Sequence, residues 1–291
     1  MKLTDLSRYN QWWKLGRNFA EYDNDLRMIR FLIGRHKHEF GVGNVYIIRG
    51  PRRAGKSVYI KLSIAELMEG NVEPKCILYL PCDRLSSRRE LHRLLREFIR
   101  FNAESDRIFI FLDEVTYLPD WFLVIKDLAE DPVIDKVCIV ATGSSPISLK
   151  EASERLPGRR VEGNEFWLMP ISFREFIMNV PKKKLPIPED KIEELRKILR
   201  GIRFDFEKPD LSPLAKLLAW HDELESLFEL YLRTGGTPEF IVEYLTEKKV
   251  DAKYMEMLVR FVLGEISKAK KSENIALGIL RYLMDKPNAE G

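Results

Sequence analysis

The stretch VYIIRGPRRAGKS, residues 45–57, decides the fold of this chain. It begins with an apolar segment typical of a buried strand. It ends in a match to the phosphate-binding pattern G-x-x-x-x-G-K-[ST] at every fixed position. A helical pattern, SVYIKLSIAELM, starts at Ser57. A chance glycine-rich turn is the alternative, but the strand before and the helix after it favour a loop whose N–H groups cradle an anion.

The residue types in this loop fit the binding of a nucleoside triphosphate with Mg²⁺. Gly50 and Gly55 let the backbone curl so that successive N–H groups face the phosphates. We expect Lys56 to reach the β- and γ-phosphates and the Ser57 hydroxyl to ligate Mg²⁺. The residues expected to contact the nucleotide are Gly50, Pro51, Arg52, Arg53, Ala54, Gly55, Lys56, Ser57 and Val58.

Two acidic residues, Asp113 and Glu114, follow the apolar run Ile108–Leu112. Open parallel sheets bind ligands at the carboxyl ends of their strands. We therefore expect Asp113 to hold Mg²⁺ through its water shell, and Glu114 to polarise the attacking water as general base. A solvated turn after a strand is the alternative. Kinases of small molecules and GTPases need no such glutamate, and the guanine-reading N-K-x-D is absent, so hydrolysis of ATP is favoured.

Strand-like and helix-like segments alternate up to about residue 171. This alternation predicts an α/β fold with a parallel sheet covered by helices on both faces. The strand-like runs are short and lack strict alternation, which suits strands that are buried on both faces. These runs are Val45–Ile48, Cys76–Leu80, Ile108–Leu112, Val137–Ala141 and Phe166–Met169.

Helical patterns lie between these runs. One covers residues 57–69. A second, 87–102, opens with the capping box Ser87-x-x-Glu90, in which each side chain is expected to accept from the other residue's N–H. A third, 119–130, is expected to start at Pro119, because proline is tolerated in a first helical turn.

The character of the chain changes along its length. Residues 1–40 carry aromatic and charged residues at helical spacing and predict an N-terminal helical segment. Residues 41–175 hold all the strand-like runs and form the predicted core. Beyond a basic, proline-rich link at 181–188, only helical patterns continue, and we assign 176–270 to a helical domain.

Polar and basic residues after the fourth strand-like run are further candidates. Thr142 or Ser144 can contact the γ-phosphate or the attacking water; alternatively, this cluster simply starts a helix at Ser145. Arg159 and Arg160 stand on a proline-glycine turn, and an arginine can neutralise charge on the transferring phosphoryl group, in cis or from a neighbouring subunit. A solvent-facing basic turn is the alternative that spacing alone favours.

Composition restricts the partners and the compartment. The chain has 48 basic and 45 acidic residues, a net charge of +3. The bulk composition therefore predicts no large nucleic-acid surface, but it is compatible with a local basic patch. Cys76 and Cys138 sit in apolar runs, which predicts buried thiols in a reducing cytosol. No stretch has the length of a signal peptide or a spanning helix, so we expect a cytoplasmic protein without a membrane partner.

Six motifs occur in order over residues 45–245: GPRRAGKS, FIFLDEV, ATGSSP, LPGRR, LMPISFREF and YLRTGGTPEF. Together they resemble the archaeal and bacterial P-loop ATPases of the AAA+ and STAND-like group. The resemblance implies an ASCE-type core, with a parallel five-stranded sheet in the order 5-1-4-3-2, and a C-terminal helical lid. It also implies that Thr142 and Ser144 match the sensor region and that Arg159 and Arg160 match the arginine position. Pro238 falls in the glycine-proline motif where the lid approaches the nucleotide.

The chain departs from this family in one respect. Relatives usually continue into a winged-helix DNA-binding module and often a nuclease-like domain. Asn274–Asp285 resembles the first helix of such a module, and the sequence then stops at Gly291. We expect 271–291 to be the start of a winged-helix module whose remainder is truncated or lost, which puts DNA binding through it in doubt.

Basic residues with regular spacing offer a second route to DNA. Arg89, Arg93, Arg96 and Arg100 line one face of the predicted helix at 87–102. Such a stripe can track a phosphate backbone, but a solvated face paired with local acids is the more common arrangement. The run Lys182–Lys184 is a weaker candidate.

These observations support a main functional hypothesis and an alternative. The first is Mg-dependent binding and hydrolysis of ATP, coupled to a conformational change between the core and the helical lid. The alternative is a switch with slow turnover, in which bound ATP or ADP controls a protein or DNA partner. Self-association follows if Arg159 or Arg160 acts in trans.

Overall fold

A parallel sheet of five strands forms the centre of the computed structural model. The strands are β1 Val45–Arg49, β2 Ile77–Pro81, β3 Ile108–Asp113, β4 Val137–Thr142 and β5 Glu165–Trp167. Their order across the sheet is β2-β3-β4-β1-β5, which is the predicted order 5-1-4-3-2 read from the other edge. The structure describes residues 1–33, 38–143, 164–202, 212–249, 251–268 and 271–285.

Three of the strands are mostly apolar and fully buried because both faces of the sheet are covered. Every residue of β2, β3 and β4 is buried. Alternate residues of β3 enter different cores: Phe109 and Phe111 belong to one apolar cluster, and Ile110 and Leu112 belong to the other. The predicted strands therefore form a sheet of the expected kind, packed between two layers.

Helices and short 3-10 turns make up these two layers and the rest of the described chain. The helix after the phosphate loop packs in the same cluster as Phe111, and the helix with the four arginines packs in the cluster of Ile110. The helices are α1 Trp12–Leu15, α2 Phe19–Tyr22, α3 Asn24–Ile33, α4 Lys56–Glu69, α5 Arg88–Phe101, α6 Trp121–Glu130, α7 Phe173–Asn179, α8 Glu189–Gly201, α9 Ser212–Leu218, α10 His221–Thr234, α11 Pro238–Glu247, α12 Ala252–Lys268 and α13 Glu273–Asp285.

One capping bond and one helix start differ from those predicted. The Ser87 hydroxyl accepts from the N–H of Glu90, but the Glu90 carboxylate accepts from the N–H and hydroxyl of Ser86, so only half of the capping box forms. Helix α6 begins at Trp121 rather than at Pro119. Asp120 is in the left-handed conformation, with φ 55°, and this interrupts the helical path between Pro119 and Trp121.

The N-terminal segment covers the edge strand β2 through side chains. The Asn10 amide donates to the carbonyl oxygen of Tyr79 over 2.9 Å and accepts from its N–H over 2.7 Å, as a neighbouring strand would. The indole N–H groups of Trp12 and Trp13 both donate to the carbonyl of Ile77, over 3.0 and 2.9 Å. An open strand edge exposes unpaired backbone groups, and these bonds satisfy them.

The chain separates into two compact units, Met1–Lys248 and Lys249–Gly291. In the first, apolar residues of α7, α8, α10 and α11 join the same core cluster as α4. The predicted division at 175/176 falls within α7, and the divisions into core, lid and further module remain predictions. In the second unit, α12 packs against α13. Among the described helices, none is both long and apolar enough to span a membrane.

We predict that Asn10→Ala lowers the free energy of unfolding by about 2–4 kcal/mol, because the buried N–H and carbonyl of Tyr79 both lose their partner. Denaturant unfolding of the purified chain measures this loss. Asn18→Ala is the matched control, since Asn18 is exposed and its side chain makes no capping bond, and it should change stability by less than about 0.5 kcal/mol. Equal stability of the two variants would contradict the role of Asn10 at the edge.

Candidate functional site

The glycine-rich loop passes directly beneath the end of β5. The N–H of Leu168, which follows β5, donates to the carbonyl oxygen of Arg49 over 2.7 Å. Arg49 is the last residue of β1, so this bond places Leu168 beside the start of the loop. A Cβ atom on Gly50 would stand 2.2 Å from the carbonyl oxygen of Leu168. Glycine is therefore required at position 50 by this close approach, in addition to the backbone freedom that an anion-binding loop needs.

Lys56 begins α4 and folds back over the loop. Its Nζ donates to the carbonyl oxygens of Gly50, over 3.0 Å, and of Pro51, over 2.9 Å. Burial lowers the pKa of Lys56, and the nearby carboxylates of Glu114 and Asp113 oppose this effect. The ammonium group is thus held at the mouth of the loop, beside the N-terminus of a 14-residue helix, where a negatively charged ligand would be stabilised.

Asp113 ends β3 as a buried carboxylate that accepts hydrogen bonds from three hydroxyl groups. Its Oδ2 accepts from Ser57 over 2.6 Å and from Tyr79 over 2.7 Å, and its Oδ1 accepts from Thr142 over 2.5 Å. Only 4% of the residue is exposed. The predicted pair Ser57 and Asp113 is therefore in direct contact, and Thr142 of β4 joins them because β4 lies between β3 and β1.

Tyr79 is a member of this site that we did not predict from the sequence. Burial, and then the negative charge of Asp113, raise the pKa of its phenol far above the ordinary value, so the hydroxyl remains a proton donor. The residue lies on β2, and Tyr79 pairs with Phe111 in the register of β2 and β3. The available signal was a lone hydroxyl in an otherwise apolar strand, but the sequence does not show which strand is the neighbour of β3.

Glu114 stands immediately beyond the strand in an unusual backbone conformation. Its φ and ψ angles are 55° and 44°, in the left-handed region. This conformation costs a residue other than glycine about 1 kcal/mol or more and is concentrated at functional sites. The Glu114 N–H also points to the Thr142 hydroxyl, 3.4 Å away. The turn that follows, Val115–Tyr117, is a 3-10 turn, so Glu114 is at the exact point where the strand direction changes.

The turn before α11 approaches the loop from the helical region. A Cβ on Gly236 would stand 2.4 Å from the carbonyl oxygen of Ile171, and the Gly236 carbonyl accepts from the N–H of Ile171 over 2.8 Å. Pro238 is buried at the first position of α11. The next residue, Glu239, forms an ion pair with Arg53 of the loop. The sequence did not predict this ion pair, because the partners are far apart in the chain.

The remaining predicted loop residues have ordinary local roles. Arg52 donates to the Tyr117 hydroxyl over 3.2 Å. Ala54 and Val58 are buried against the core.

Ser144, Arg159 and Arg160 lie outside the described residues, so their roles stay predictions. All three cysteines are buried thiols, as expected for Cys76 and Cys138. Within the described parts of the chain, no group of three His, Cys, Asp or Glu side chains has metal-binding geometry.

We predict that Tyr79→Phe lowers the free energy of unfolding by about 1–3 kcal/mol, because the buried Asp113 carboxylate loses one of its three hydroxyl donors. Denaturant unfolding measures the effect. Tyr22→Phe, at a tyrosine that is 64% exposed, removes the same atom and should have almost no effect. If the two variants are equally stable, the Tyr79 bond contributes nothing to the site.

Comparisons with known proteins agree with this geometry. A family model of an AAA domain matches residues 42–177. The chain is 27% identical over 292 residues to Uncharacterized protein MJ1637 of Methanocaldococcus jannaschii, covering 98% of this chain and 55% of that protein. It is 27% identical over 139 residues to an uncharacterized protein of Haemophilus influenzae, covering 46% of this chain and 33% of that protein. The chain thus spans about half, or less, of these curated relatives.

A solved structure, the Walker-type ATPase PABY2304 of Pyrococcus abyssi, aligns over 82% of this chain and 72% of that chain, with a TM-score of 0.36 and 18% identity. The matched segment 42–177 contains the phosphate loop, Asp113 and Glu114, and the strand order is the one that the motifs implied. Residues 42–177 thus match an AAA domain, and over this segment the chain is similar to the archaeal and bacterial AAA-like P-loop ATPases that its motifs resemble.

Proposed function

We propose that this chain binds ATP with Mg²⁺ at the loop Gly50–Ser57 and hydrolyses it. The observation that carries the proposal is the contact of the Ser57 hydroxyl with the Asp113 carboxylate, 2.6 Å apart at the start of α4. A hydroxyl and a carboxylate oxygen are the hard ligands that Mg²⁺ takes, and the N-terminus of α4 with Lys56 suits a triphosphate. The donor set therefore fits the nucleotide and the metal that the family implies.

The residues of the loop then have distinct tasks. Lys56 exchanges its two loop carbonyls for the β- and γ-phosphate oxygens, which are stronger partners for an ammonium because they are charged. Ser57, as a ligand, and Asp113, through the water shell, would hold Mg²⁺, which would supply positive charge to the phosphates. Tyr79 and Thr142 keep the Asp113 carboxylate in position from the two neighbouring strands.

Glu114 orients the attacking water and accepts its proton. Its left-handed backbone supports this role, because strained residues of this kind are concentrated at functional sites. The strained turn lies at the carboxyl end of β3, on the side of the sheet edge where the phosphate loop lies. The half-buried carboxylate lies close enough to Lys56 to influence its pKa. The Glu114 N–H donates to the hydroxyl oxygen of Thr142, which helps to fix the backbone of Glu114.

We predict that Lys56→Ala abolishes measurable ATP binding, whereas Glu114→Gln keeps binding and loses hydrolysis by about 100-fold or more, the usual contribution of a general base. Nucleotide affinity and steady-state phosphate release measure the two effects. Asp106→Asn is the matched control for the loss of one carboxylate charge, since Asp106 is 91% exposed, and both quantities should stay at the wild-type level. Wild-type turnover by Glu114→Gln would refute its assignment as the base.

We further propose that nucleotide binding is coupled to the helical region through Arg53 and Glu239. The ion pair joins the loop to the first turn of α11, beside Pro238 and the Gly236 turn. Phosphate oxygens entering the loop compete with the Glu239 carboxylate for the Arg53 guanidinium. Exchange of this partner would release α11 from the loop, which is the conformational coupling expected of a helical lid.

We predict that Glu239→Gln tightens ATP binding severalfold, because the variant removes a competing carboxylate and a negative charge beside the phosphates. Isothermal titration at low and high salt measures this effect, which salt should reduce. Glu247→Gln, at the other end of the same helix, is the control and should bind ATP as the wild type does. Unchanged or weaker binding by Glu239→Gln would contradict competition at Arg53.

A slow nucleotide switch is the second candidate. Its support is the closed hydrogen bonding of the site, in which Asp113 accepts from three hydroxyls and Lys56 is bound to two carbonyls. The bonds of Lys56 to the two carbonyls and of Ser57 to Asp113 must be exchanged when ligands enter or leave, which favours two long-lived states. Tight retained nucleotide with a flat, near-zero turnover would favour the switch. Turnover that rises with protein concentration would favour an assembly with an arginine supplied in trans.

A further inference from the structure

A concavity of about 400 Å³ in the helical region collects basic side chains from three separate elements. Lys183 and Lys184 belong to the turn Lys182–Lys184, and Arg233 belongs to α10. Lys248 is the residue that follows the last residue of α11. One carboxylate, Glu229, lines the same concavity. All of these residues belong to the unit Met1–Lys248, so their arrangement is internal to one compact body.

The four basic side chains gather in one concavity, and none of them has an acidic partner among the described residues. Within the described residues, none of the four is within 4.0 Å of a carboxylate oxygen, whereas the neighbouring Lys182 pairs with Glu193 and Lys191 pairs with Glu223. Lys184 donates to the carbonyl of Leu245 over 3.3 Å, which holds its stem in the concavity. Converging positive charges in a concave surface focus the field and attract an anion.

The arginine stripe predicted on α5 is partly paired with acidic side chains. Arg96 pairs with Asp127 over 2.7 Å and also contacts Asp131, and Arg93 pairs with Glu97 over 3.2 Å. Two of the four arginines are therefore neutralised by local acids, as the solvated alternative expected. The stripe also packs on the opposite face of the sheet from the basic concavity, because α5 and α10 belong to different core clusters.

The chemistry of the concavity fits phosphates better than carboxylates. Three of its four cations are lysines, which act as point charges for phosphate oxygens, whereas bidentate recognition of carboxylates favours arginine. The concavity is exposed and wide enough for more than one phosphate group, and its cations are spread over three elements. This spread suits a phosphodiester backbone that runs through the concavity, with several phosphates in contact, better than a single enclosed anion.

We propose that the concavity lined by Lys183, Lys184, Arg233 and Lys248 binds the phosphodiester backbone of duplex nucleic acid without reading its sequence. Contacts to phosphates position a protein on a duplex but carry no base information. The site is separate from the nucleotide loop, and binding to it requires no turnover of ATP.

The test is the salt dependence of binding to a short fluorescent DNA duplex, measured by anisotropy on the full chain. With four phosphate contacts, the plot of log affinity against log salt should have a slope of about −3 to −4. Lys183→Ala combined with Arg233→Ala should reduce the steepness by about 2 and weaken binding by about tenfold per cation at about 0.1 M salt. Arg89→Ala combined with Arg100→Ala removes the same charge from exposed positions of α5 and should leave the slope unchanged.

The remaining controls make a negative result decisive. Unfolding midpoints and ATP affinity of both double variants should match the wild type, because all four substituted side chains are exposed. A duplex of different sequence should bind equally. Absence of duplex binding by the wild type at low salt, equal slopes for the two double variants, or equally tight binding of labelled polyglutamate would each overturn the proposal.

Discussion

The buried carboxylate of Asp113 is the constraint on which the rest of the site depends. An ionised carboxylate is costly to bury unless hydrogen bonds replace its water, and this one receives three, from Ser57, Tyr79 and Thr142. Each donor comes from a different element: the helix after the loop, the strand on one side of β3 and the strand on the other side. The carboxylate therefore joins three elements of the core at the point where the loop opens.

This arrangement explains why the two edge strands of the sheet, β2 and β5, make different contacts. Edge strand β2 must carry Tyr79 at a defined depth, and Asn10 holds the backbone of that same residue through both its N–H and its carbonyl. The opposite edge, β5, is only three residues long and continues into Leu168, whose carbonyl fits against Gly50. Both edges thus support the loop, one through the acidic site and one through direct backbone contact.

Within the unit Met1–Lys248, the helices α7, α8, α10 and α11 share one apolar cluster with the core. Helix α4 belongs to the same cluster, and the Gly236 turn rests on Ile171. In the proposed coupling, a change at the loop would reach α11 over one ion pair, Arg53 with Glu239. The basic concavity is built from the same helices, α10 and α11, which gives the nucleotide loop and that surface a common support.

The amino-acid sequence alone predicted the class of fold, the strand order through its family resemblance, and the loop and acidic residues of the candidate site. These features are local: a strand, a glycine loop and a helix are consecutive in the chain, and apolar runs reveal burial on two faces. It did not predict that the Glu90 carboxylate accepts from Ser86, or that α6 begins at Trp121 because Asp120 turns the backbone before it. The contacts of Tyr79 with Asp113 and of Glu239 with Arg53, and the grouping of lysines around Arg233, were decided only by the tertiary structure. Each depends on which distant elements become neighbours, and that choice is made by packing over the whole core rather than by any local pattern.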